Sequence, residues 1–505
     1  ETKRMTGEGR KAMGKLIKNI KHEKSSLIKT ILITVLFFGV NVYFSFTTDT
    51  YSTFKVGFNI AALDMLMRNG RPIVGAIYEL HFLSGLPKES FYYISTALAL
   101  LFLTFSVWLY QKMLAKHGVS ENSRILVSFA SIANICVIEY FMFIEKCGFM
   151  LAVLFNVLAV YFIERFFTSR KIGFMAAALV IMVLAIFTYQ GTIALFVILS
   201  LPFAFKYANS FKSYVINVVS IGICYAFSVL ACFAAFKYVF KSARVSAAID
   251  WAGNIKNVVY GVLRYGRSTF GVLPKYVFLI LTFIVFSAAI LLAVRHRHKG
   301  MCILNIFVIG FASVIFPTAP ILQGSGGWAL RTIYPIASVV GAFAVHLLIN
   351  SEDRNEKDEG VGRIRKISIL MIGVLLACQY ISFNKIFVDK YKLNALDEYR
   401  YDYVGQAIND YQRDSGEKIT KVSFYSDASR TYPAYLNLFS QGDFTISAFY
   451  TEWSDINALN YYLGSDYEKA IPSDKYSEYF ALQDWNQLSQ DQLIFEGDTL
   501  HLCVY

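Results

Sequence analysis

The chain has 505 residues, of which 56% are hydrophobic and only 17% are charged, and its formal net charge is +12. Soluble domains carry roughly a quarter charged residues, so this composition excludes an ordinary soluble protein. It predicts a polytopic α-helical membrane protein. No nucleic-acid-binding motif accompanies the positive charge, which is typical of cytoplasmic loops rich in Lys and Arg.

Apolar stretches of about 20 residues, the length that crosses a bilayer, predict about eleven transmembrane helices. The predicted spans lie approximately at 27–46, 89–110, 124–143, 148–167, 173–189, 191–206, 214–237, 276–294, 301–318, 330–349 and 367–384. The segment 1–26 is basic, and the short connections after the even-numbered spans are also rich in Lys and Arg. This pattern predicts a cytoplasmic N-terminus, and the odd number of spans then predicts an extracytoplasmic C-terminus.

The composition changes after residue 385, where Asp, Glu, Tyr and Ser become frequent. The stretch ALDEYRYDYVGQAINDYQ has the apolar period of a helix. KVSFYS, FTISAFY and LIFEGDTLHLCVY have the pattern of strands, the last as a hairpin. The chain is therefore predicted to contain a basic N-terminal segment (1–26), a membrane domain (27–385) and a small extracytoplasmic α/β domain (386–505).

The first acidic residue after the first predicted span is Asp49, in the stretch SFTTDTYST. A carboxylate at the edge of a low-dielectric region can accept a proton from a hydroxyl, which makes Asp49 a candidate general base. An ordinary loop aspartate at the level of the lipid headgroups is the alternative interpretation.

An interfacial amphipathic helix is predicted after Asp49. Its apolar residues recur at helical spacing: Phe54, Phe58, Ala61, Met65 and Leu66. The sequence Asn69-Gly70 ends this helix, and Pro72 enforces the break. Asp64 and Arg68 are four residues apart, and a surface ion pair is the favoured interpretation of them.

Two acidic residues near the outer ends of the third and fourth predicted spans are further candidates: Glu139 and Glu145. Acidic residues within the membrane are functional candidates by default, and Glu139 lies the deeper of the two. A solvated pair with Lys146 at the turn is the alternative for Glu145. At the next outer turn, the amide of Gln190, beside Tyr189, would suit hydrogen bonds to sugar hydroxyls, with a simple hairpin turn as the alternative.

Basic residues also occur in the predicted outer loops, against the trend that concentrates them in the cytoplasm. They are Arg244, Lys256, Arg264, Arg267, Lys275 and Arg331. Arginine binds phosphate through a planar fork of donors, so a phosphate site is one interpretation. Contact with anionic lipid headgroups is the other.

The order of these features resembles that of the bacterial GtrII-type membrane glucosyltransferases, multi-spanning enzymes related to the GT-C class. An outer Asp follows a leading helix, GRP follows an interfacial stretch, a later turn contains YQ, and WALRTIYP enters a late span. The resemblance covers residues 27–385 and extends loosely into the tail. It implies a GT-C-like helical bundle in the bacterial plasma membrane.

The resemblance further implies a donor in which a sugar, usually glucose, is linked to undecaprenyl phosphate. The acceptor would be a surface polysaccharide, teichoic acid or O-antigen, and transfer would invert the anomeric carbon. Asp49 would act as the base on the acceptor hydroxyl. The family often has two adjacent acids where this chain has Thr48-Asp49-Thr50, so Asp49 would serve alone or with help from a distant acid such as Glu139.

A lipid-phosphate leaving group needs positive charge beside it as the glycosidic bond breaks. The predicted substrate-binding residues are Arg68, Arg71, Glu145, Tyr189, Gln190, Arg264, Arg267, Lys275 and Arg331. No metal-ligand set is predicted, although the resemblance leaves a divalent metal open. The tail would hold the growing glycan or a neighbouring subunit.

Two other classes of function stay open. A polysaccharide or lipid translocase would need charges deep within the spans, whereas the charges here lie at the span ends. A non-enzymatic assembly protein would bind its partners through the tail and would not depend on Asp49.

Overall fold

The structure, a computed structural model, describes residues 24–43, 45–240, 250–322, 324, 327–350, 359–428, 446–485 and 489–504. Most of the predicted basic N-terminal segment and Arg244 lie outside the described residues. The helices up to the tail are α1 (Lys24–Val42), α2 (Thr48–Val56), α3 (Phe58–Met67), α4 (Pro72–Leu83), α5 (Ser90–Ala115), α6 (Glu121–Ile132), α7 (Val137–Met142), α8 (Lys146–Ser169), α9 (Ile172–Thr188), α10 (Gln190–Lys206), α11 (Phe211–Phe240), α12 (Trp251–Ser268), α13 (Val277–Arg295), α14 (Lys299–Leu322), α15 (Tyr334–Asn350) and α16 (Glu359–Ser415).

Within the described ranges, seven helices are long and apolar enough to cross a bilayer: α1, α5, α8, α11, α13, α14 and α16. This finding confirms a polytopic helical membrane protein. Three further predicted spans correspond to the shorter apolar helices α9, α10 and α15. The third predicted span, 124–143, is divided between α6 and α7. Length and composition therefore support seven spans and do not establish the predicted count of eleven.

Polar side chains stabilise the break between α6 and α7. The side chain of Asn134 accepts a hydrogen bond from the backbone N–H of Cys136 at 2.9 Å and donates one to Ser338 Oγ at 2.9 Å. Gln379 of α16 donates to the carbonyl of Ala133 at 2.6 Å. Non-helical backbone at membrane depth is tolerated where neighbouring protein groups bond it, which accounts for an interruption that the apolar pattern alone does not reveal.

The helices run back and forth between two ends of the bundle. Ser26 at the start of α1 donates to Gln111 near the end of α5 at 2.8 Å. Tyr92 near the start of α5 donates to the carbonyl of Asn41 at the end of α1 at 3.0 Å. The two helices are therefore antiparallel. We name the two ends of the bundle the Ser26 end and the Asp49 end.

The prediction of a single interfacial helix between Asp49 and Asn69 is wrong, because two helices, α2 and α3, occupy that stretch. Gly57 separates α2 from α3 and adopts φ of 84°, a conformation that favours glycine. Gly70, with φ of 61°, follows α3, and Pro72 begins α4, so the predicted stop at Asn69-Gly70 is confirmed.

Helices α3 and α4 pack closely at Gly75, and replacing this glycine should destabilise the protein. A Cβ on Gly75 would lie 2.8 Å from the carbonyl oxygen of Ala62 in α3, too close for backbone that cannot rotate away. We expect Gly75→Ala to lower the free energy of unfolding by about 1–3 kcal/mol, measured by denaturation in detergent. Gly173→Ala is the matched control, because a Cβ on Gly173 in α9 meets nothing within 4 Å. Equal stability of the two variants would contradict the close packing.

Helix α16 is 57 residues long and continues without a break from the membrane region into the tail. No proline lies between Glu359 and Ser415, so nothing removes a backbone hydrogen bond from this helix. The predicted domain boundary at 385/386 falls inside α16, and the tail helix predicted in ALDEYRYDYVGQAINDYQ is its last part. The chain thus passes from the apolar bundle to the tail without a flexible linker.

The rest of the tail contains a small sheet with strand order β2-β1-β4-β3. Strand β1 is parallel to β2 and β4, and β3 is antiparallel to β4. Its elements are β1 (Lys421–Tyr425), α17 (Asp455–Leu463), β2 (Glu468–Lys469), α18 (Asp474–Ala481), β3 (Leu493–Glu496) and β4 (Thr499–Cys503). The strand predicted in KVSFYS and the predicted C-terminal hairpin are confirmed, with Gly497 in the turn at φ of 57°.

The strand predicted in FTISAFY is wrong for the part that the structure describes, which begins at residue 446. Ser447 Oγ donates to the carboxylate of Asp397 on α16, and the backbone N–H of Ala448 donates to the same carboxylate at 2.9 Å. These bonds to a side chain take the place of bonds to a neighbouring strand.

Candidate functional site

Asp49 lies in the first turn of α2, where the helix dipole favours a negative charge. Its carboxylate is on the exposed side of the helix, whereas the next residues, Thr50 and Tyr51, are buried. Tyr51 Oη lies 3.0 Å from Tyr462 Oη in α17 of the tail. The tail therefore covers one side of α2 and leaves Asp49 accessible on the other.

Arg71 and Glu145 form a second part of the site. Arg71 Nη1 is 3.9 Å from Glu145 Oε1, and each side chain is less than one-sixth exposed, at 14% and 11%. The Arg71 guanidinium lies 4.6 Å from the centre of the Tyr189 ring. Arg71 Nε is buried and has no hydrogen-bond partner among the described residues. The guanidinium therefore retains a donor for a further oxygen ligand.

Glu145 is a buried carboxylate rather than half of a solvated pair. Burial raises its pKa above the ordinary value, while Arg71 lowers the pKa and the negative charge of Asp49 raises it. Asp49 is therefore close enough to interact with Glu145 electrostatically. Lys146 is fully buried, with its ammonium 3.8 Å from the centre of the Tyr92 ring, so the alternative interpretation of a solvated Glu145–Lys146 pair is wrong.

The raised pKa of Glu145 predicts a pH dependence of stability. Between its ordinary pKa of 4.5 and its higher folded pKa, the folded state holds a proton that the unfolded state has lost. The free energy of unfolding should therefore fall as pH rises above 4.5, and Glu145→Gln should remove this component. Denaturation in detergent from pH 4 to pH 8 measures it. Asp466→Asn, an exposed acid in the tail, is the control, and identical pH slopes for Glu145→Gln and wild type would contradict the burial of an ionisable group.

Glu139 on α7 contacts both the backbone and the side chain of Arg331. Its Oε2 accepts a hydrogen bond from the backbone N–H of Arg331 at 2.6 Å, and its Oε1 forms an ion pair with the Arg331 guanidinium. Tyr140 donates to the carbonyl of Arg331 at 2.7 Å. Glu139 is only 2% exposed, so this arrangement fixes both the backbone and the side chain of Arg331.

The turn between α9 and α10 joins these parts. Tyr189 Oη donates to the carbonyl of Arg331 at 3.3 Å, and Gln190 Nε2 donates to the carbonyl of Gly70 at 3.0 Å. A Cβ on Gly191 would lie 2.6 Å from the Arg331 carbonyl oxygen, so only glycine allows this approach. The Gln190 amide therefore bonds protein backbone, in agreement with the structural alternative for that turn.

These contacts bring six of the predicted residues together at one end of the bundle, and the charge of Asp49 acts on Glu145 there. We call this group the Asp49 cluster: Asp49, Arg71, Glu139, Glu145, Tyr189, Gln190 and Arg331. It combines two guanidinium groups and three carboxylates, one of which, Asp49, is exposed at the start of a helix. Such a cluster can bind an anionic group at the arginines and accept a proton at a carboxylate.

Four other predicted residues make different contacts. Arg68 is exposed and forms the predicted surface pair with Asp64, at 3.2 Å. Three basic residues on α12 or shortly after it are exposed: Arg264, Arg267 and Lys275. The Arg264 guanidinium lies 5.1 Å from the centre of the Phe270 ring. No described hydrogen bond or ion pair joins these three side chains to the Asp49 cluster.

Sequence reasoning missed two residues beside the cluster. Tyr78 is fully buried, its hydroxyl has no hydrogen-bond partner in the described part of the chain, and burial together with the charge of Glu145 raises its pKa. Lys146 is likewise buried, and its ammonium has no described hydrogen-bond partner. Tyr78 gave no signal because a tyrosine in an apolar helix is usually a core residue. The opposite charges of the adjacent residues Glu145 and Lys146 suggest that the two side chains pair with each other, whereas the structure buries them separately.

A cavity of about 480 Å³ lies between the tail and the Asp49 end of the bundle. We call it the tyrosine cavity: Phe46, Lys88, Glu89, Tyr391, Asn394, Ala395, Glu398, Tyr461 and Tyr462 line it. The Lys88 ammonium lies 4.9 Å from the centre of the Tyr461 ring. Since Tyr462 also contacts Tyr51 on α2, this cavity and Asp49 share one supporting helix.

The donor set does not match a metal centre. No group of three or more His, Cys, Asp or Glu side chains that could hold a metal ion occurs in the residues that the structure describes. Around Asp49 and Glu145, the nearest charged partner of Glu145 is a guanidinium, which competes with a cation for the carboxylate.

Comparison with known proteins adds no assignment. No family model matches the chain, and no curated protein has a matching sequence.

Proposed function

We propose that the protein is a polyprenyl-phosphate-dependent glycosyltransferase of the GT-C type. It would move a sugar, glucose by the resemblance, from undecaprenyl phosphate to a cell-surface glycan with inversion. The observation that carries the proposal is the convergence of Asp49, Arg71, Glu145 and Arg331 at one end of an apolar bundle. A base and two arginines are the groups that this reaction requires.

In the proposed reaction, Asp49 accepts the proton of an acceptor hydroxyl. The hydroxyl oxygen then forms a bond to the anomeric carbon of the donor sugar. The bond between that carbon and the phosphate oxygen breaks, and the lipid phosphate leaves with the electron pair. Arg71 and Arg331 stabilise the charge that develops on the phosphate. Asp49 is exposed, which leaves room for an acceptor beside it.

We assign the role of second acid to Glu145 rather than to Glu139. Both oxygens of Glu139 are occupied by Arg331, so its function in the proposal is to hold that arginine in place. Glu145 faces Arg71 and is within electrostatic range of Asp49.

The tyrosine cavity is the proposed binding position of the acceptor glycan. Sugar rings stack their apolar faces on aromatic side chains and bond carboxylates through their hydroxyls, and this cavity provides both kinds of group. Pockets with a few polar groups among aromatic walls are typical binding sites for such ligands. Tail residues Tyr461 and Tyr462 would thus contact the acceptor glycan, while the donor lipid approaches from the bundle.

The proposal includes the finer topology. The short helices α9, α10 and α15 and the divided segment α6–α7 would complete eleven spans in a GT-C-like bundle. The Lys- and Arg-rich connections would lie in the cytoplasm, and the Asp49 end and the α/β tail outside the bacterial plasma membrane. This orientation gives the cluster access to lipid-linked donors of the outer leaflet.

The test uses the purified full chain in lipid nanodiscs with undecaprenyl-phosphate-linked radiolabelled glucose. Teichoic acid and O-antigen polysaccharide are supplied separately as acceptors. We expect label in one acceptor together with an equal amount of released undecaprenyl phosphate, and no transfer from a nucleotide sugar. Movement of the lipid-linked sugar between leaflets without bond cleavage would instead indicate a translocase. If the sugar is neither transferred nor moved between leaflets with any supplied donor, both functions are contradicted.

A further inference from the structure

Helix α12 connects two membrane-crossing helices at the Asp49 end of the bundle. The preceding helix, α11, ends there, because a Cβ on Gly70 would overlap the Phe236 ring in the last turns of α11. The following helix, α13, runs to the Ser26 end, where the ring of His296 lies 5.4 Å from that of Phe205 near the end of α10. Helix α12 therefore starts and finishes at the same end and does not cross the bundle.

Contacts near both ends of α12 fix its position. The side chain of Asn254 donates a hydrogen bond to the carbonyl of Leu322, the last residue of α14, at 3.0 Å. The carbonyl of Arg267 accepts one from the backbone N–H of Tyr276, just before α13, at 2.7 Å. The 18 residues of α12 span about 27 Å at 1.5 Å per residue. The helix thus extends from the end of α14 to the start of α13, across the end of the bundle.

One face of α12 packs on the bundle. Val258, Gly261 and Tyr265 are buried and follow one another at spacings of three and four residues, which places them on one side of the helix. A Cβ on Gly261 would overlap the indole of Trp328, so this ring lies directly against the helix backbone. The Tyr265 ring lies 5.4 Å from the Phe278 ring in α13. This packing determines which side chains of α12 point away from the protein.

A second face of α12, which we call the apolar face, is exposed. Trp251, Ile255, Val259 and Leu263 recur at intervals of four residues, and each is more than half exposed. Water beside such a face is unfavourable, whereas lipid is not. Because α12 joins the ends of two helices that are long and apolar enough to cross a bilayer, lipid is the medium at this level.

The third face, which we call the cationic face, holds three exposed cations: Lys256, Arg264 and Arg267. At about 100° per residue they lie together beside the apolar face. Helix α12 contains no Asp or Glu, and within the described part of the chain no carboxylate pairs with these cations. The acid at its start, Asp250, accepts a hydrogen bond from the backbone N–H of Gly253 at 2.9 Å. Three positive charges therefore face outward without a described counter-charge.

We propose that α12 lies in the membrane interface and binds the headgroups of anionic phospholipids through its cationic face, with its apolar face against the acyl chains. Helices with adjoining basic and apolar faces lie in the interface plane, and basic residues there attract anionic lipid. Trp251 and Tyr260 are exposed on α12, and both residue types are enriched at this level of a bilayer. The inference does not depend on the proposed sugar transfer, because no residue of the Asp49 cluster takes part.

The test measures which lipids lie beside α12 by the quenching of Trp251 fluorescence. The full chain is placed in bilayers that contain phosphatidylglycerol or phosphatidylcholine, with identical acyl chains brominated close to the headgroup. Bromine quenches tryptophan only on close approach. Since the chain has five tryptophans, the signal of Trp251 is the difference between each protein and its Trp251→Phe version.

We expect phosphatidylglycerol to be preferred over phosphatidylcholine beside Trp251. In the double variant K256Q/R267Q this preference should fall about fivefold or more, since each cation near a lipid surface favours an anionic lipid on the order of fivefold. The control K212Q/K299Q removes two exposed cations at the Ser26 end and has the same net charge. Its lipid preference beside Trp251 should equal that of the wild type.

Three results would overturn the proposal. Equal affinity of the wild type for the two lipids would show that the cations do not recognise headgroup charge. Equal loss in K256Q/R267Q and K212Q/K299Q would show general electrostatic attraction. Absence of quenching of Trp251 by either lipid would show that water or another protein chain covers the apolar face. The comparison of the two lipids in the wild type decides the proposal even if K256Q/R267Q does not fold.

Discussion

Replacing Asp49 with Asn should reduce sugar transfer by about 10²–10⁴-fold, the usual contribution of a general base. The amide has nearly the same shape as the carboxylate but cannot accept the proton of the acceptor hydroxyl. Asp49 is exposed, and its backbone carbonyl rather than its side chain accepts the described hydrogen bond from Thr53, so the helix should remain intact. The measurement is the rate of transfer by purified protein, with gel filtration and thermal unfolding as checks of folding.

Asp466→Asn is the matched control for this experiment. Asp466 is also an exposed acid, and it forms an ion pair with Lys55 on the same helix that carries Asp49. The control therefore makes the same chemical change and perturbs the same helix, but it leaves the proposed base in place. Full transfer activity in Asp49→Asn would refute the assignment of the base, and equal losses in both variants would indicate a structural effect on α2.

The sequence was sufficient to predict the apolar helices, because their length and composition are local properties. It did not reveal the break between α6 and α7. That break depends on Gln379, which is 246 residues away from the carbonyl that it bonds. Likewise, the division of the predicted interfacial helix depends on the backbone conformation of Gly57. A glycine within an apolar helical pattern does not by itself indicate a positive φ.

The candidate site shows the same limit. The sequence identified Glu139 and Arg331 separately, but their pairing joins residues 192 positions apart and has no local pattern. A solvated pair with Lys146 is a reasonable alternative for Glu145 from the sequence, because adjacent opposite charges usually pair at a turn. In the structure the two side chains are buried in different surroundings, Glu145 beside Arg71 and Lys146 against Tyr92. Which charges meet is a property of the packed bundle rather than of the chain.

Replacing Arg331 with Met should destabilise the protein by about 3–5 kcal/mol, because the buried carboxylate of Glu139 loses its cationic partner. Glu139→Gln in the same chain should restore part of this loss, since the amide carries no charge to leave unpaired. Denaturation in detergent of the two single variants and the double variant measures the coupling between the residues. Additive effects of the two substitutions would contradict the ion pair.

The same double variant separates the structural role of Arg331 from its proposed role in catalysis. If Arg331 stabilises the departing phosphate, R331M/E139Q should regain stability and still transfer sugar poorly, because no guanidinium remains at that position. If Arg331 only holds α7 against the start of α15, activity should return together with stability. Glu139→Gln alone keeps the guanidinium and should retain most of the transfer rate. Recovery of activity in the double variant would leave Arg71 as the remaining arginine of the Asp49 cluster that could bind the donor phosphate.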